Sequence, residues 1–239
     1  MKLSIVIPTL SNRVPDSVKQ FVAEREDVEI VVINGVSPVS SARRQGFEKT
    51  VGEYVWFVDD DDEIVVEAIG NDFPPTPSTR PDIVRYRAFG WMNIGTKIYR
   101  REILEKAFAE MGDVPMTRFE DGLLYATALK YAKRVEDVDR EIYVYQRRDD
   151  SASHQFDPMI VREAERLAAV VPERAEELFV YIATEMCRVR ARWTAIRKVL
   201  AELKCSSLYQ AAKASRDPYT KKMVWAVRFP WVVFLYRAI

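Results

Sequence analysis

The feature that most constrains the fold is an apolar run that ends in four consecutive carboxylates, residues 54–62 (Tyr-Val-Trp-Phe-Val-Asp-Asp-Asp-Asp). Such a run is typical of a buried strand. Like charges this close repel each other unless they face water or a cation neutralises them. Hard divalent cations such as Mg2+ take oxygen ligands and often share them with substrate phosphates. The run therefore predicts a buried strand whose C-terminal end presents a metal ion and, through it, a phosphorylated ligand.

Further apolar runs alternate with segments of helical periodicity along the first two thirds of the chain. Strands are predicted at 3–7, 28–33, 54–58, 82–87, 96–99 and 138–146, and helices at 14–26, 40–49, 100–111 and 121–133. This alternation predicts an α/β fold with a mixed, mostly parallel sheet and helices on both faces. Ligands of such sheets bind beyond the C-terminal ends of the strands. Pro8, Thr9, Asn34 and the aspartates all follow predicted strands, so we expect them to lie at one edge.

The last third of the chain has a different character. Apolar residues recur every three or four positions between Leu178 and Leu203, which predicts one long amphipathic helix. Residues 158–239 carry 15 Lys or Arg against 8 Asp or Glu, whereas residues 1–157 carry 21 against 28. We therefore expect one α/β domain over 1–157 and a basic helical extension over 158–239.

The end of this extension suggests an anionic partner. Residues 221–239 combine aromatic, aliphatic and basic side chains with no acidic one, which is typical of a segment at a membrane interface. Packing on the domain or on a second subunit, in a homo-oligomer, is the alternative. A nucleic-acid partner is disfavoured because the segment is apolar as well as basic.

The cysteines and the N-terminal residues bear on the cellular compartment. Cys187 and Cys205 form neither a metal-ligand pattern nor a disulfide framework, and the apolar run at 3–7 is too short for a signal peptide. These features predict a cytoplasmic protein, and the basic, apolar segment 221–239 predicts that it is peripheral at the inner face of the cell membrane.

A series of short motifs occurs in an order that resembles family 2 of the glycosyltransferases, which have the GT-A fold. The motifs lie at 4–9, 29–37, 41–46, 52–62, 119–121 and 143–153, and the resemblance covers residues 1–155. It implies that a GT-A domain over 1–157 transfers a sugar with inversion from a nucleotide-sugar donor, in this case a UDP-sugar. The acceptor would be a hydroxyl of a glycan or a lipid-linked molecule in cell-surface polysaccharide or glycolipid synthesis, and the cofactor Mn2+ or Mg2+.

The resemblance also implies roles for individual residues. The donor-binding positions are Pro8, Thr9, Asn34, Arg43, Asp59, Asp60 and Arg147, the metal-binding positions are Asp61, Asp59 and His154, the catalytic base is Asp121, and Glu120 and Trp91 lie on the acceptor side. Family members usually carry an aspartate at the position of Asn34, whose amide oxygen can still accept a hydrogen bond. The cation would stabilise the leaving nucleoside diphosphate, and Asp121 would take the proton of the attacking hydroxyl.

Simpler interpretations stay open for several of these residues. The aspartates at 59–62 can form a solvated turn or an acidic helix start, Asp121 can be a helix N-cap, and His154 and Trp91 can be structural. A sugar-nucleotide nucleotidyltransferase is a second possible function, but residues 8–13 lack the glycine-rich phosphate loop that it usually carries. A third is a non-catalytic, membrane-associated module that binds nucleotides or sugars.

Overall fold

The computed structural model describes residues 2–23, 25–69, 80–87, 91–146, 158–188 and 193–229. The chain divides into two compact units, Met1–Arg147 and Arg148–Ile239. The predicted division after residue 157 lies at the end of a segment, 147–157, outside the described residues, and it stays a prediction. Arg147 and His154 belong to the same segment, so their predicted roles also stay predictions.

The first unit alternates strands with helices. The strands are β1 (Leu3–Thr9), β2 (Val28–Asn34), β3 (Tyr54–Phe57), β4 (Glu63–Ile64), β5 (Ile83–Tyr86), β6 (Lys97–Arg100), β7 (Val135–Val138) and β8 (Tyr143–Val144). The helices are α1 (Asp16–Ala23), α2 (Val39–Lys49), α3 (Val66–Ile69), α4 (Arg101–Met111) and α5 (Glu120–Tyr131).

Six of these strands form one mixed sheet in the order β2-β1-β3-β6-β5-β7, and β6 runs antiparallel to its two neighbours. Thr9 at the end of β1 pairs with Asn34 at the end of β2, and β3 runs parallel to β1. Because β6 runs the opposite way, its first residue, Lys97, lies at the same edge, opposite Arg85 of β5. The C-terminal ends of the parallel strands and the start of β6 therefore share one edge, the site edge. The predicted mixed α/β sheet is confirmed.

Helices cover both faces of this sheet. Alternate side chains along β1 enter different cores: Ile5 packs with residues of α1 and α3, and Val6 packs with residues of α2, α4 and α5. Gly46 lets α2 lie close to β1, because a Cβ atom there would be 2.3 Å from Val6 Cγ1. This close contact fixes the position of Arg43, which lies one turn earlier on α2.

The region after α5 differs from its prediction, and a single strand over 138–146 is wrong. β7 pairs with β5 in the main sheet, whereas β8 pairs antiparallel with β4 in a separate two-stranded sheet. The backbone N–H of Arg140 donates to Val138 O at 2.8 Å, so the chain turns directly after β7. Ile142 and Tyr143 are buried as well. The apolar pattern therefore continues through the turn and conceals it.

The second unit is helical in its described part, with α6 (Met159–Val170), α7 (Ala175–Arg188), α8 (Trp193–Cys205), α9 (Ser207–Ala214) and α10 (Pro218–Arg228). The predicted long helix over 178–203 corresponds to α7 and α8. Residues 189–192 between them lie outside the described residues, so its continuity stays a prediction. Within the described ranges, none of the helices combines the length and apolarity needed to cross a membrane.

Candidate active site

A buried arginine at the site edge joins two acidic segments that are far apart in the sequence. Arg43 has a side chain that is 6% exposed, and its Nη2 donates to Asp59 Oδ1 at 2.7 Å. Its Nη1 donates to Glu120 Oε1. Asp59 follows β3 and Glu120 begins α5, so Arg43 holds the predicted donor segment against the predicted acceptor segment.

The charge of this arginine is secured by its neighbours. Burial opposes the charge of the guanidinium, but the carboxylates of Asp59, Glu120 and Asp121 outweigh burial and raise the pKa of Arg43. Its Nε is buried and has no hydrogen-bond acceptor among the described residues. Because buried polar groups are normally satisfied, this N–H is available to an acceptor atom of a bound ligand.

Two adjacent carboxyl groups open helix α5. Phe119, the residue before the helix, has a left-handed backbone with φ of 59°, a conformation that is uncommon outside glycine. Asp121 is therefore in the first turn rather than at the N-cap, and its Oδ1 accepts from Gly122 N at 2.7 Å. Burial raises the pKa of Glu120 to about 8 against the opposing effect of Arg43. Burial also raises the pKa of Asp121.

The four aspartates after β3 have different environments. Asp59 contacts Arg43, and Asp60 Oδ2 accepts hydrogen bonds from Thr9 Oγ1 and, at 3.2 Å, from Ser11 Oγ. Asp61 is half-buried. Three of the predicted donor-binding residues, Thr9, Asp59 and Asp60, therefore lie together at the site edge.

Asp62 has a structural role that the sequence did not reveal. It is buried, and it accepts hydrogen bonds from Tyr143 Oη at 2.5 Å and from Gln146 N at 2.7 Å. Burial raises its pKa to about 6, although both hydrogen bonds act against this shift. Asp62 thus links the acidic run to Tyr143 of the small β4–β8 sheet. The interpretation of this residue as part of a solvated turn is wrong.

Lys97 is a charged residue of the site that sequence reasoning missed. Its side chain is buried, its Nζ donates to Asn93 O at 2.5 Å, and Nζ lies 4.6 Å from the centroid of the Tyr125 ring. Burial lowers the pKa of Lys97 to about 8, and Asp121 opposes this shift. The available signal was a lysine within the predicted strand 96–99, because lysine is rarely buried unless its charge is paired.

Trp91 lines a cavity of about 510 Å3 together with Arg85, Lys97 and Tyr125. It is half-buried and also packs against the buried cluster that includes Leu124 and Tyr125. Its predicted place on the acceptor side stays a prediction.

The two remaining donor-side predictions lie on β1 and β2. Pro8 is buried within β1, next to Thr9. Asn34 is exposed at the end of β2 and is the register partner of Thr9.

Among the described residues, no three His, Cys, Asp or Glu side chains are grouped as a cation site would require. Mg2+ and Mn2+ commonly use one or two carboxylates and complete their coordination with substrate phosphates and water. The half-exposed Asp59 and Asp61 suit that kind of shared site, and His154 lies outside the described residues.

Sequence comparison identifies one family. Residues 11–120 match the model described as glycosyl transferase family 2. No curated protein matches the chain significantly.

Solved structures with a similar fold include three of TarS from S. aureus. TarS 1-349 in complex with UDP has a TM-score of 0.59 and 15% identity, covering 99% of this chain and 89% of that chain. The same fragment in complex with UDP-GlcNAc has a TM-score of 0.52 and 16% identity, covering 95% and 79%. A longer TarS chain has a TM-score of 0.50 and 18% identity, covering 90% of this chain, which spans only 44% of that one.

The family match and the fold agree with the expectation drawn from the order of motifs. The matched segment contains Arg43, the acidic run at 59–62 and Glu120. The segment 11–120 therefore matches glycosyltransferase family 2, and the α/β fold of the first unit agrees with the GT-A fold of that family.

Proposed function

We propose that this protein is a metal-dependent, inverting glycosyltransferase that moves a sugar from a UDP-sugar to a hydroxyl of a glycan or lipid-linked acceptor. The observation that carries the proposal is the contact of Arg43 with both Asp59 and Glu120. Through these contacts Asp59, which follows β3, lies next to Glu120 and Asp121 in the first turn of α5. A site for group transfer needs this proximity, since the reacting groups must meet in one orientation.

On the donor side, Asp59 and Asp61 would hold a divalent cation together with the diphosphate of the donor. When bound, the cation acts as a Lewis acid that stabilises the charge of the leaving nucleoside diphosphate. Thr9 and Asn34 lie together at the neighbouring strand ends, where the nucleoside would bind. The similarity in fold to TarS, which was crystallised with UDP and with UDP-GlcNAc, supports uridine as the nucleoside.

On the acceptor side, Asp121 would act as the base. The acceptor oxygen forms a bond to the anomeric carbon while the bond from that carbon to the diphosphate oxygen breaks on the opposite face, and the hydroxyl proton passes to Asp121. Burial raises the pKa of Asp121, which strengthens it as a proton acceptor as long as it is ionised. Lys97 opposes that rise and favours the ionised form.

We also propose that α10 brings the protein to a membrane surface, where a lipid-linked acceptor would be found. Tyr219 and Trp225 on this helix are 48% and 47% exposed, and Lys221 and Lys222 are exposed as well. Exposed aromatic and basic side chains on one helix suit the headgroup region of anionic lipids. Residues 230–239 continue the basic and apolar composition but lie outside the described residues.

A screen of nucleotide sugars tests the proposed activity. Each donor is added with Mn2+, with Mg2+ or with a chelator, and binding is followed by the thermal stability of the protein. A rise in the melting temperature for UDP and UDP-sugars that disappears with the chelator is the expected result. Equal shifts with and without metal would contradict the metal dependence, and shifts confined to another nucleotide would contradict uridine.

A further inference from the structure

We propose that the cavity beside Asp121 is an acceptor subsite for an anionic sugar, one that carries a phosphate or carboxylate group near the attacked hydroxyl. This inference rests on the proposed function and deepens it, because it names the chemical class of the acceptor. The cavity measures about 510 Å3 and is lined by Arg85, Arg87, Trp91, Lys97 and Tyr125, with further lining from Tyr86 and Asp137–Asp139. Pockets of this size hold small ligands.

The cavity lies on the site edge, and two of its lining residues connect it to the predicted base: Lys97 interacts electrostatically with Asp121, and Tyr125 lies on the same helix as Asp121. Lys97 is the first residue of β6 and pairs with Arg85 near the end of β5, so both reach the edge at which Asp59 follows β3. Asp121 and Tyr125 are four residues apart on α5, which places them on the same side of that helix. A sugar bound against Tyr125 would therefore have a hydroxyl within one helical turn of Asp121.

Lys97 gives the cavity its preference for an anion. Its side chain is almost fully buried, yet among the described residues its ammonium group donates to a backbone carbonyl, Asn93 O, and to no carboxylate. Asp121 favours the charged form of Lys97 through space, but among the described residues no carboxylate accepts a hydrogen bond from it. An ammonium group has three N–H donors, so a phosphate or carboxylate of the ligand would accept the hydrogen bonds that Asn93 O leaves open.

The two arginines that line the cavity, Arg85 and Arg87, are already paired with carboxylates. Arg85 forms a bidentate pair with Asp137, at 2.5 and 2.6 Å, and Arg87 pairs with Asp139 at 2.7 Å. The aspartate side chains are 66% and 87% exposed. The pair of Arg87 with Asp139 is therefore solvated and weak, and Arg87 can turn to a bound anion at little cost, whereas Arg85 is held by Asp137 and Tyr125. Guanidinium groups suit phosphate oxygens well.

Aromatic side chains complete the cavity for a sugar rather than for a bare anion. Trp91, Tyr86 and Tyr125 line it, and aromatic rings offer flat apolar surfaces to the C–H faces of a pyranose. Tyr125 is also held in place, since its Oη accepts from Arg85 Nη1 at 2.8 Å. One ligand that carries both a ring and a charge would use the aromatic rings and Lys97 together.

The test compares glucose 6-phosphate and glucuronic acid with glucose, as charged and neutral forms of one ring, in NMR titrations of the full chain. Both charged probes, or at least one of them, should bind roughly tenfold or more tightly than glucose, as expected for a charge-assisted contact, with shifts at Lys97 and Tyr125. Equal binding of all three probes, or binding of neither charged probe, would overturn the proposal. The probe that binds shows whether phosphate or carboxylate is preferred.

Substitutions test whether Lys97 is the group that binds the charged probe. Lys97→Met should weaken binding of the charged probe by roughly tenfold or more, whereas Lys130→Met, which removes an exposed cation from the same helix as Tyr125, should leave it unchanged. If Lys97→Met does not fold, Arg87→Gln is used instead, because Arg87 is exposed and its replacement should not affect folding. Arg87→Gln should weaken binding of the charged probe but not binding of glucose. Wild-type affinity in the folded Lys97→Met variant would overturn the proposal, as would unchanged affinity in Arg87→Gln if that variant is the one used.

Probe binding measured with saturating UDP distinguishes a failure of this inference from a failure of the proposed function. UDP should leave the affinity of the charged probe essentially unchanged, whereas displacement of the probe would mean that the cavity binds the donor phosphates and would overturn the subsite. If UDP does not bind at all while the charged probe binds in a Lys97-dependent way, the proposed function fails and the anion site stands.

Discussion

Replacing Arg43 by methionine should destabilise the protein by an amount that grows with pH. Glu120 has an unperturbed pKa of 4.5 and a pKa of about 8 in the folded state, where burial raises it and Arg43 opposes the rise. Without Arg43 the opposing effect disappears, so the pKa of Glu120 rises further. Ionisation of Glu120 would then cost the folded variant more than it costs the wild type.

The magnitude follows from linkage between protonation and folding. While Glu120 is protonated in both folded proteins, the variant loses the hydrogen bonds of Arg43 to Asp59 and Glu120, of which the charged bond to Asp59 is worth about 1.5–3 kcal/mol. Between pH 4.5 and 8 the wild type itself loses stability, because its folded state holds a proton that the unfolded chain has released. Above pH 8 this loss stops in the wild type but continues in the variant, at about 1.4 kcal/mol per pH unit.

The assay is urea unfolding followed by circular dichroism at a series of pH values from 6 to 9.5. The control is Arg44→Met on the same helix, since Arg44 donates to the backbone carbonyl Phe108 O at 2.6 Å and to Gly112 O rather than to carboxylates. Its cost should not change with pH. Adding Glu120→Gln to Arg43→Met should reduce the extra dependence on pH, and the part that remains belongs to Asp121, whose pKa Arg43 also lowers. A cost of Arg43→Met that is constant from pH 7 to 9.5 would refute the reasoning.

Three further predictions concern other parts of the molecule. Gly46→Ala should destabilise the first unit by about 1–3 kcal/mol, measured by urea unfolding, because its Cβ would overlap buried Val6; an unchanged midpoint would contradict the close packing of α2 on β1. Tyr143→Phe should cost about 1–3 kcal/mol in the same assay by removing the hydroxyl that donates to buried Asp62, and wild-type stability would show that Asp62 does not need it. Reversing the charges of Lys221 and Lys222 to glutamate should release the protein from anionic vesicles in a sedimentation assay, with about 1 kcal/mol of binding lost per removed cation, and unchanged sedimentation would sink the membrane role of α10.

The sequence was sufficient to predict the sheet and the edge at which ligands bind. Apolar runs such as residues 3–7 and 54–58 are local signals, and the polar residues that follow them mark the strand ends without any knowledge of long-range contacts. The order of the motifs then indicated the family. These predictions needed only the period of the apolar residues and the identity of the residues after each strand.

The pairing of side chains could not be predicted, because it depends on contacts between distant segments. Asp62 looks like Asp60 in the sequence, and only the approach of Tyr143, 81 residues later, makes it a buried structural group. Lys97 has no neighbouring carboxylate in the sequence, and its closeness to Tyr125 depends on how α5 packs over β6. Burial of a charge is a property of the assembled fold, and so are the pKa shifts that follow from it.

The most direct test of the central claim is the rate of sugar transfer by Asp121→Asn, measured beside the binding of UDP. Asparagine is nearly isosteric and keeps an oxygen that can accept from Gly122 N, so the start of α5 should be preserved. We expect UDP to bind as in the wild type while the rate of transfer falls by about 10²–10⁴-fold. Asp16→Asn, at an exposed carboxylate of α1, is the matched control and should transfer normally. Transfer by Asp121→Asn at the wild-type rate would contradict the assignment of Asp121 as the base.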